Sequence, residues 1–185
     1  MKQGLAILRS VSRGLGLASV LGLGILMSTA CESSVPASLP PAPELQPVVL
    51  DDTVEIAVGQ TLYVPVYSYI FMVNEERTIN LTTTLSIRNT SRTEPMILTA
   101  VDYHDSQGTL VRNYLENPVE LGPLMATEFV IRQEDVTGGI GAAFLVDWVA
   151  HAEISEPVIE AVMINTQGNQ GLSFVSIGRV IETRP

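Results

Sequence analysis

The side chains best suited to chemistry in this sequence are two histidines and the carboxylates beside them. Asp102, His104 and Asp105 stand close together, and Asp147 and His151 form a second group further along the chain. Residues two or four positions apart in an extended strand point to the same face of a sheet. A two-strand metal site built from Asp102, His104 and His151 is therefore geometrically allowed, and with it a small metal-binding protein or metal-dependent hydrolase.

Turn formation explains the same carboxylates more simply. Asp105-Ser106-Gln107-Gly108 has the composition of a β-turn, in which an aspartate caps its own backbone. The spacing from Asp102 through Asp105 to Gly108 also differs from that of a calcium-binding loop. We therefore predict no metal and no cofactor, and the metal site stays as the weaker alternative.

Other catalytic signatures are missing from the sequence. It has no G-x-S-x-G nucleophile elbow. After Arg13 it has no lysine, which removes a P-loop, a Schiff-base mechanism and a Ser-Lys pair. The loop Gly138-Gly139-Ile140-Gly141 lacks the lysine and the following helix of a phosphate site, so it predicts a bulge or tight turn. We predict no catalytic residues and a protein that is not an enzyme.

The charge distribution excludes another class of function. The chain has a net charge of -10, and its twenty Asp and Glu residues all follow Arg13. Only seven basic residues, all arginine, lie in that same part, which therefore carries a formal charge of -13. Such an acidic surface repels phosphate backbones, so nucleic-acid binding is excluded.

The N-terminus has the three parts of a secretory signal. Met1–Arg13 is basic, Gly14–Ala30 is uncharged and mostly apolar, and small residues precede Cys31, the only cysteine of the chain. A cysteine at that position is similar to a bacterial lipoprotein signal, in which the thiol is acylated and becomes the new N-terminus. Ser28 stands where such signals usually have leucine, so ordinary secretion and an uncleaved anchor remain alternatives.

The residues after Cys31 predict a tether followed by one domain. Glu32–Pro47 contains five prolines and no hydrophobic period, which is typical of an extended linker. We assign residues 1–30 to a signal peptide, 31–50 to the lipid-modified cysteine and the Pro-rich linker, and 51–185 to the domain.

The domain reads as a series of short strands without a convincing helical period. Nine runs have strand character: Thr53–Val58, Thr61–Phe71, Ile79–Asn89, Pro95–His104, Thr109–Leu115, Thr127–Gln133, Ala143–His151, Val158–Thr166 and Leu172–Thr183. A turn is expected at Gly59-Gln60 and a hairpin over Asp102–Leu115. This spacing predicts an all-β fold, a single immunoglobulin-like β-sandwich, with a β-barrel as the alternative.

Ile79–Asn89 has the clearest pattern, because apolar residues alternate with polar ones and only Thr83 interrupts the apolar parity. One face of this strand should therefore pack on the core and the other should meet water. The predicted buried set is Leu81, Leu85, Ile87, Val101, Phe129, Ile131, Phe144, Val146, Trp148, Ala161, Met163, Phe174 and Val180.

The strand Thr61–Phe71 carries an aromatic stripe. Tyr63, Tyr67, Tyr69 and Phe71 share one parity, and the other is aliphatic, with Leu62, Val64, Val66 and Ile70. The tyrosines either form a second buried face or bind a protein or glycan partner. Pro65 cannot donate a ladder hydrogen bond, which favours an edge strand or a bulge.

Five sequence segments resemble those of a family of bacterial envelope lipoproteins, the domain of unknown function thirty-one twenty-four. They are LYVPVYSYI at 62–70, TLSIRNTS at 84–91, VDYHDSQGTLVRNYL at 101–115, GGIGAAFLVDWVA at 138–150 and IEAVMINTQGNQGLSFVSIGRVI at 159–181. The resemblance implies secretion, a lipid anchor and a β-rich domain, and it implies no catalytic residues.

Together these observations predict an exported lipoprotein of the bacterial cell envelope, held on the membrane through Cys31. The soluble periplasmic or secreted form is the alternative. The domain would act as a non-catalytic binding or assembly module for an envelope protein or glycan.

Overall fold

The computed structural model describes residues 45–50, 55–168 and 171–184, and the regular structure over these ranges is all β. Its strands are β1 (Gln46–Pro47), β2 (Val58–Val66), β3 (Tyr69–Phe71), β4 (Thr78–Asn80), β5 (Thr82–Arg88), β6 (Met96–His104), β7 (Leu110–Asn113), β8 (Val119–Leu121), β9 (Ala126–Ile131), β10 (Ala142–Ala150), β11 (Val158–Asn165), β12 (Leu172–Ile177) and β13 (Arg179–Arg184).

The strands form two stacked sheets and a small ribbon. The large sheet has the order β1-β8-β6-β10-β2-β13, with β7 paired to β6, and the small sheet has the order β12-β11-β5-β9. The ribbon is the β3–β4 hairpin. One buried cluster joins apolar side chains of both sheets, so the prediction of an all-β sandwich is confirmed.

The core agrees with the alternation in the sequence. Ten of the thirteen predicted residues are buried, and Phe129 and Phe174 are partly buried against the same cluster. Val180 was predicted wrongly, since it is 42% exposed. It lies opposite Leu62 on β13, an edge strand of the large sheet, and a side chain there is covered from one side only.

The alternation predicted for Ile79–Asn89 is confirmed in its central part. On β5, Leu85 and Ile87 are fully buried, whereas Thr84 and Ser86 are half-buried on the other face. Thr83, the polar interruption, is buried, and its hydroxyl donates to the carbonyl of Tyr67 over 3.4 Å. A partner inside the protein therefore lets a threonine occupy the core face.

Three predicted strands are each divided in two. Thr61–Phe71 breaks at residues 67–68, Ile79–Asn89 breaks at Leu81, and Leu172–Thr183 breaks at Gly178. At Gly178 the chain passes from the small sheet to the large one, and its N–H donates to the carbonyl of Ile159 over 2.9 Å. A Cβ there would lie 2.9 Å from that same oxygen, so a crossing this close needs glycine.

The turn predicted at Gly59-Gln60 is wrong, because both residues lie inside β2. A Cβ at Gly59 would be 3.0 Å from the carbonyl oxygen of Trp148, so the glycine serves close packing here and not a turn. Pro65 also lies in β2, opposite Ala143. Since β13 pairs only with residues 59–63 of β2, the other side of Pro65 has no ladder partner to lose.

The beginning of the described chain belongs to the large sheet. Gln46–Pro47 pairs with Val119–Glu120 of β8, so the sheet starts within the segment assigned to the linker. The predicted signal peptide and Cys31 lie outside the described residues. Within the described ranges, no helix is long and apolar enough to cross a membrane.

Candidate functional site

A cleft of about 1000 Å³ lies at the end of the sandwich where the β3–β4 hairpin stands, and we call it the hairpin cleft. The hairpin, the end of β9, the end of β11 and the start of β12 form its walls. Its lining residues are Met72, Thr78, Ile79, Asn80, Gln133, Glu134, Asn165, Gln167, Gly168 and Leu172. A volume of this size suits a peptide segment or a ligand of similar dimensions.

The base of the hairpin is held by Ser68, which is 1% exposed. Its N–H donates to the carbonyl of Gly139 over 2.9 Å, and its carbonyl accepts from the N–H of Leu81 over 2.9 Å. Ser68 directly precedes β3 and Leu81 directly follows β4, so one residue ties both strands of the hairpin to the sandwich. A buried serine with all its polar groups paired is a rigid anchor.

Tyr103 secures this anchor from the large sheet. Its hydroxyl lies 2.8 Å from the hydroxyl of Ser68, and the ring is fully buried beside Phe144, at 5.3 Å between centroids. Burial raises the pKa of Tyr103, with the hydrogen bond to Ser68 opposing that shift. The phenol therefore stays neutral and acts as a structural hydrogen-bonding group.

The glycine loop 138–141 completes this anchor. A Cβ on Gly138 would overlap the Tyr103 hydroxyl oxygen, and Gly139 has φ 76°, a left-handed conformation that favours glycine. The Ser106 hydroxyl donates to the carbonyl of Gly138 over 2.8 Å and accepts from the N–H of Gly141 over 2.9 Å. The loop is a tight turn that positions the hairpin, in agreement with the sequence prediction.

Carboxamide side chains dominate the walls of the hairpin cleft. The amide of Asn165 donates to the carbonyl of Asn80 over 2.7 Å and accepts from the N–H of Gln167 over 2.9 Å. The amide of Gln133 reaches the same carbonyl of Asn80 at 3.5 Å. Since carboxamides both donate and accept, these walls suit backbone amides or hydroxyl groups of a neutral ligand. Among the described residues, the lining has one carboxylate, Glu134, and no basic residue.

The tip of the hairpin exposes three consecutive apolar side chains. Phe71 is 45% exposed, Met72 51% and Val73 77%, and Met72 also lines the hairpin cleft. Phe71 packs edge-on against Tyr69, at 6.0 Å between ring centroids. Aromatic residues and methionine are enriched at the centres of protein interfaces, and here they stand beside a polar recess.

The structure separates the three tyrosines of the predicted stripe. Tyr63 is 38% exposed on the outer face of the large sheet, opposite Leu145 and Arg179. Tyr67 packs against the core and meets Phe174 edge-on, at 5.6 Å between centroids. The chain leaves the strand at residues 67–68, so the predicted stripe is divided, and Tyr69 lies on the hairpin opposite Asn80 of the cleft.

The residues of the metal alternative are also kept apart. His104 lies opposite Ala143 at one end of β10, and His151 follows the other end. Eight residues of strand separate these positions, which is about 26 Å at 3.3 Å per residue. His104 contacts the carbonyl of Gly108 and His151 that of Glu55, each over 3.1 Å. In the described part of the chain, no group of three potential ligands is close enough to hold a metal.

Asp105 behaves as the turn residue predicted. Its carboxylate accepts from the N–H groups of Gln107 and Thr109, each over 2.8 Å. The neighbouring Asp102 lies on β6, opposite Leu145 on β10 and Asn113 on β7. Their placement confirms the hairpin over Asp102–Leu115.

A smaller cavity of about 420 Å³ lies beside an ion pair between Arg112 and Asp135. Arg112 donates to Asp135 over 2.9 Å and to the Tyr114 hydroxyl over 2.9 Å, while the Thr137 hydroxyl donates to Asp135 over 2.6 Å. Burial alone would raise the pKa of Asp135, but the hydrogen bonds from Thr137 and Arg112 lower it. This carboxylate is fully engaged and ties β7 to the segment after β9.

Sequence reasoning did not identify the hairpin cleft. Its amide residues come from three separate segments, around Asn80, Gln133 and Asn165, and no local spacing marks them as a group. The apolar run Ile70–Val73 was the one available signal, because it continues past the predicted strand into a polar, turn-like stretch.

The described residues form a β-sandwich with a recess at one end. This chain belongs to the family described as Protein of unknown function (DUF3124), which matches residues 59–181. A solved structure, Crystal Structure of Thermotoga maritima 1070, is similar with 12% sequence identity and a TM-score of 0.39. That similarity covers 65% of this chain and 92% of the other. No match is found among curated proteins.

Proposed function

We propose that this protein is a lipid-anchored protein of the bacterial cell envelope that binds a partner protein through the hairpin cleft and the hairpin tip, without catalysis. The observation that carries the proposal is the row of exposed residues Phe71, Met72 and Val73 beside the amide-lined recess. Apolar anchors next to paired polar groups are the usual composition of a protein interface.

A protein partner fits the cleft better than an anionic ligand. The described lining residues contribute a carboxylate and no cation, and the part of the chain after Arg13 carries a formal charge of -13. Phosphate or polyanionic ligands would be repelled by this field. Backbone amides of an extended peptide segment would pair with Asn80, Gln133 and Gln167, which donate and accept alike.

The position of the cleft suits a domain held from its N-terminus. β1 pairs with β8 beside Ile97, at the start of β6, whereas the anchor of the hairpin contacts Tyr103 near the end of β6. Six residues of strand separate these points, about 20 Å at 3.3 Å per residue. The described chain therefore begins at the end of the large sheet that lies away from the hairpin cleft.

The proposed lipid anchor at Cys31 is tested by metabolic labelling with radioactive palmitate. The wild-type chain should incorporate label, and the Cys31→Ala chain should incorporate none. Label retained in the Cys31→Ala chain would contradict lipidation at this residue.

The binding surface is tested in the native envelope with a double variant, Met72→Ser and Val73→Ser. Val158→Ser is the matched control, because Val158 is 41% exposed and lies at the other end of β11 from Asn165. Chemical cross-linking should give a discrete protein adduct with the wild type and the control, reduced about tenfold or more in the double variant. An adduct unchanged in the double variant would refute the site, and label on envelope glycan in place of protein would refute the partner class.

A further inference from the structure

A second feature of the molecule concerns its sheet edges and is independent of the hairpin cleft. Strand edges carry unpaired N–H and C=O groups, and proteins usually protect them with charges, prolines, bulges or short length. The edges of this sandwich can be compared strand by strand in the described residues.

Most of the edges are protected. β1 has two residues and contains Pro47, and β7 has four residues with Arg112 and a register shift. β9 contains Glu128. β13 has Arg179, Glu182 and Arg184, and its register shifts at residue 181.

β12 has none of these devices. Its sequence LSFVSI contains no charge and no proline, and its register with β11 is continuous from Leu172 to Ile177. Val175 is 54% exposed and Ile177 71%, both on the outer face of the small sheet. Val175 lies opposite the half-buried Val162, and Val162 lies opposite Thr84. These three uncharged side chains form a row across the small sheet that begins at its β12 edge.

We propose that β12 pairs with β12 of a second copy of this chain, so that two small sheets join into one continuous sheet across a two-fold axis. Antiparallel pairing of one strand with itself satisfies two-fold symmetry, since the same surface serves both copies. Each copy carries a large negative charge, so association is favoured only where the contact itself is uncharged. β12 meets that condition because LSFVSI has no charged residue, whereas self-pairing of β9 would bring two copies of Glu128 together.

A second copy paired at β12 would partly cover Val175 and Ile177, the two exposed apolar side chains of that strand.

The test measures the protein mass of the full chain, purified in a non-ionic detergent, by light scattering. The wild type should contain two copies, and Val175→Lys should contain one, because each copy would bring a lysine into the strand pair and a charge on an edge strand opposes pairing. Val130→Lys is the matched control. Val130 is 45% exposed on the same face, at the opposite edge of the same sheet, and this variant should remain a dimer.

Folding is monitored by thermal unfolding, and Ile177→Lys provides a second monomeric variant if Val175→Lys fails to fold. A wild type containing one copy overturns the proposal, as does a Val175→Lys protein that stays dimeric. Loss of the dimer in Val130→Lys as well would show general charge repulsion and would equally overturn it. A monomeric wild type that captures a foreign strand at β12 would assign the edge to another partner.

Discussion

Replacement of Gly138 by alanine should destabilise the sandwich through the buried tyrosine that supports the hairpin. The new Cβ would overlap the Tyr103 hydroxyl oxygen and lie 2.5 Å from Tyr103 Cζ and 2.7 Å from Ala142 Cβ. Overpacking of a core costs roughly 1–3 kcal/mol. Displacement of the phenol would also break its hydrogen bond to Ser68, which adds about 1 kcal/mol. We expect a total of about 2–4 kcal/mol, a large share of the roughly 5–15 kcal/mol of a typical domain.

A double-mutant cycle separates this mechanism from a general effect of alanine. Tyr103→Phe alone removes the hydroxyl and should cost about 1–2 kcal/mol, because the Ser68 hydroxyl is left buried without its partner. In the Tyr103→Phe background, Gly138→Ala should cost at least about 1 kcal/mol less, since the overlapping oxygen is gone. The contacts with Cζ and with Ala142 remain, so the rescue should be partial.

The assay is urea unfolding followed by far-UV circular dichroism, with the free energy of unfolding extrapolated to water. Gly171→Ala is the control, because a Cβ there would meet nothing within 4 Å, and it should change stability by less than about 0.5 kcal/mol. Strictly additive costs of Gly138→Ala and Tyr103→Phe, or a Gly138→Ala protein as stable as the control, would refute the reasoning.

Three further predictions concern Tyr103, Asp135 and Tyr67. Because burial raises the pKa of Tyr103, its contribution to the free energy of unfolding is complete below the ordinary tyrosine pKa of about 10 and is lost as the pH rises above it. Unfolding at graded alkaline pH should therefore show a steeper loss of stability in the wild type than in Tyr103→Phe. Because the pKa of Asp135 is lowered, its contribution to the free energy of unfolding is present above the ordinary aspartate pKa and is lost as the pH falls through the pKa of the folded protein. The stability of Asp135→Asn should lack that loss at acid pH, and a pH profile of stability equal to that of the wild type would contradict the role of Arg112 and Thr137. Tyr67→Ser should cost about 2 kcal/mol through its contact with Phe174, whereas exposed Tyr63→Ser should cost less than about 0.5 kcal/mol; equal melting temperatures would show that neither ring packs.

Alternation along the chain was sufficient to predict the sheets. Residues such as Leu85 and Ile87 are buried because every second side chain of a half-buried strand must face the core, and that rule depends on local sequence alone. The strand breaks at residues 67–68 and at Gly178 depend on contacts with distant segments, so local alternation continues through them undetected. Ser68 bonds to Gly139, Leu81 and Tyr103, and none of these is near it in sequence.

The candidate site was less accessible to prediction for the same reason. Tyr63, Tyr67 and Tyr69 share a parity in sequence, but the turn at 67–68 sends them to three different environments. Asp102, His104 and His151 looked like a site because strand pairing was known only in outline, and the register of β10 places the two histidines at opposite ends. The hairpin cleft is assembled from Asn80, Gln133 and Asn165, which only the fold brings together.

The central claim is that the hairpin cleft is the binding surface of this domain. The most direct measurement is site-specific photo-cross-linking of the full chain in the native envelope, with the photoreactive residue placed at Thr78 or at Val158. Thr78 lines the cleft, and Val158 is exposed at the remote end of β11. If the hairpin cleft is the binding surface, position 78 should give one discrete protein adduct and position 158 none. The same adducts from both positions, or none from position 78, would contradict binding at the cleft.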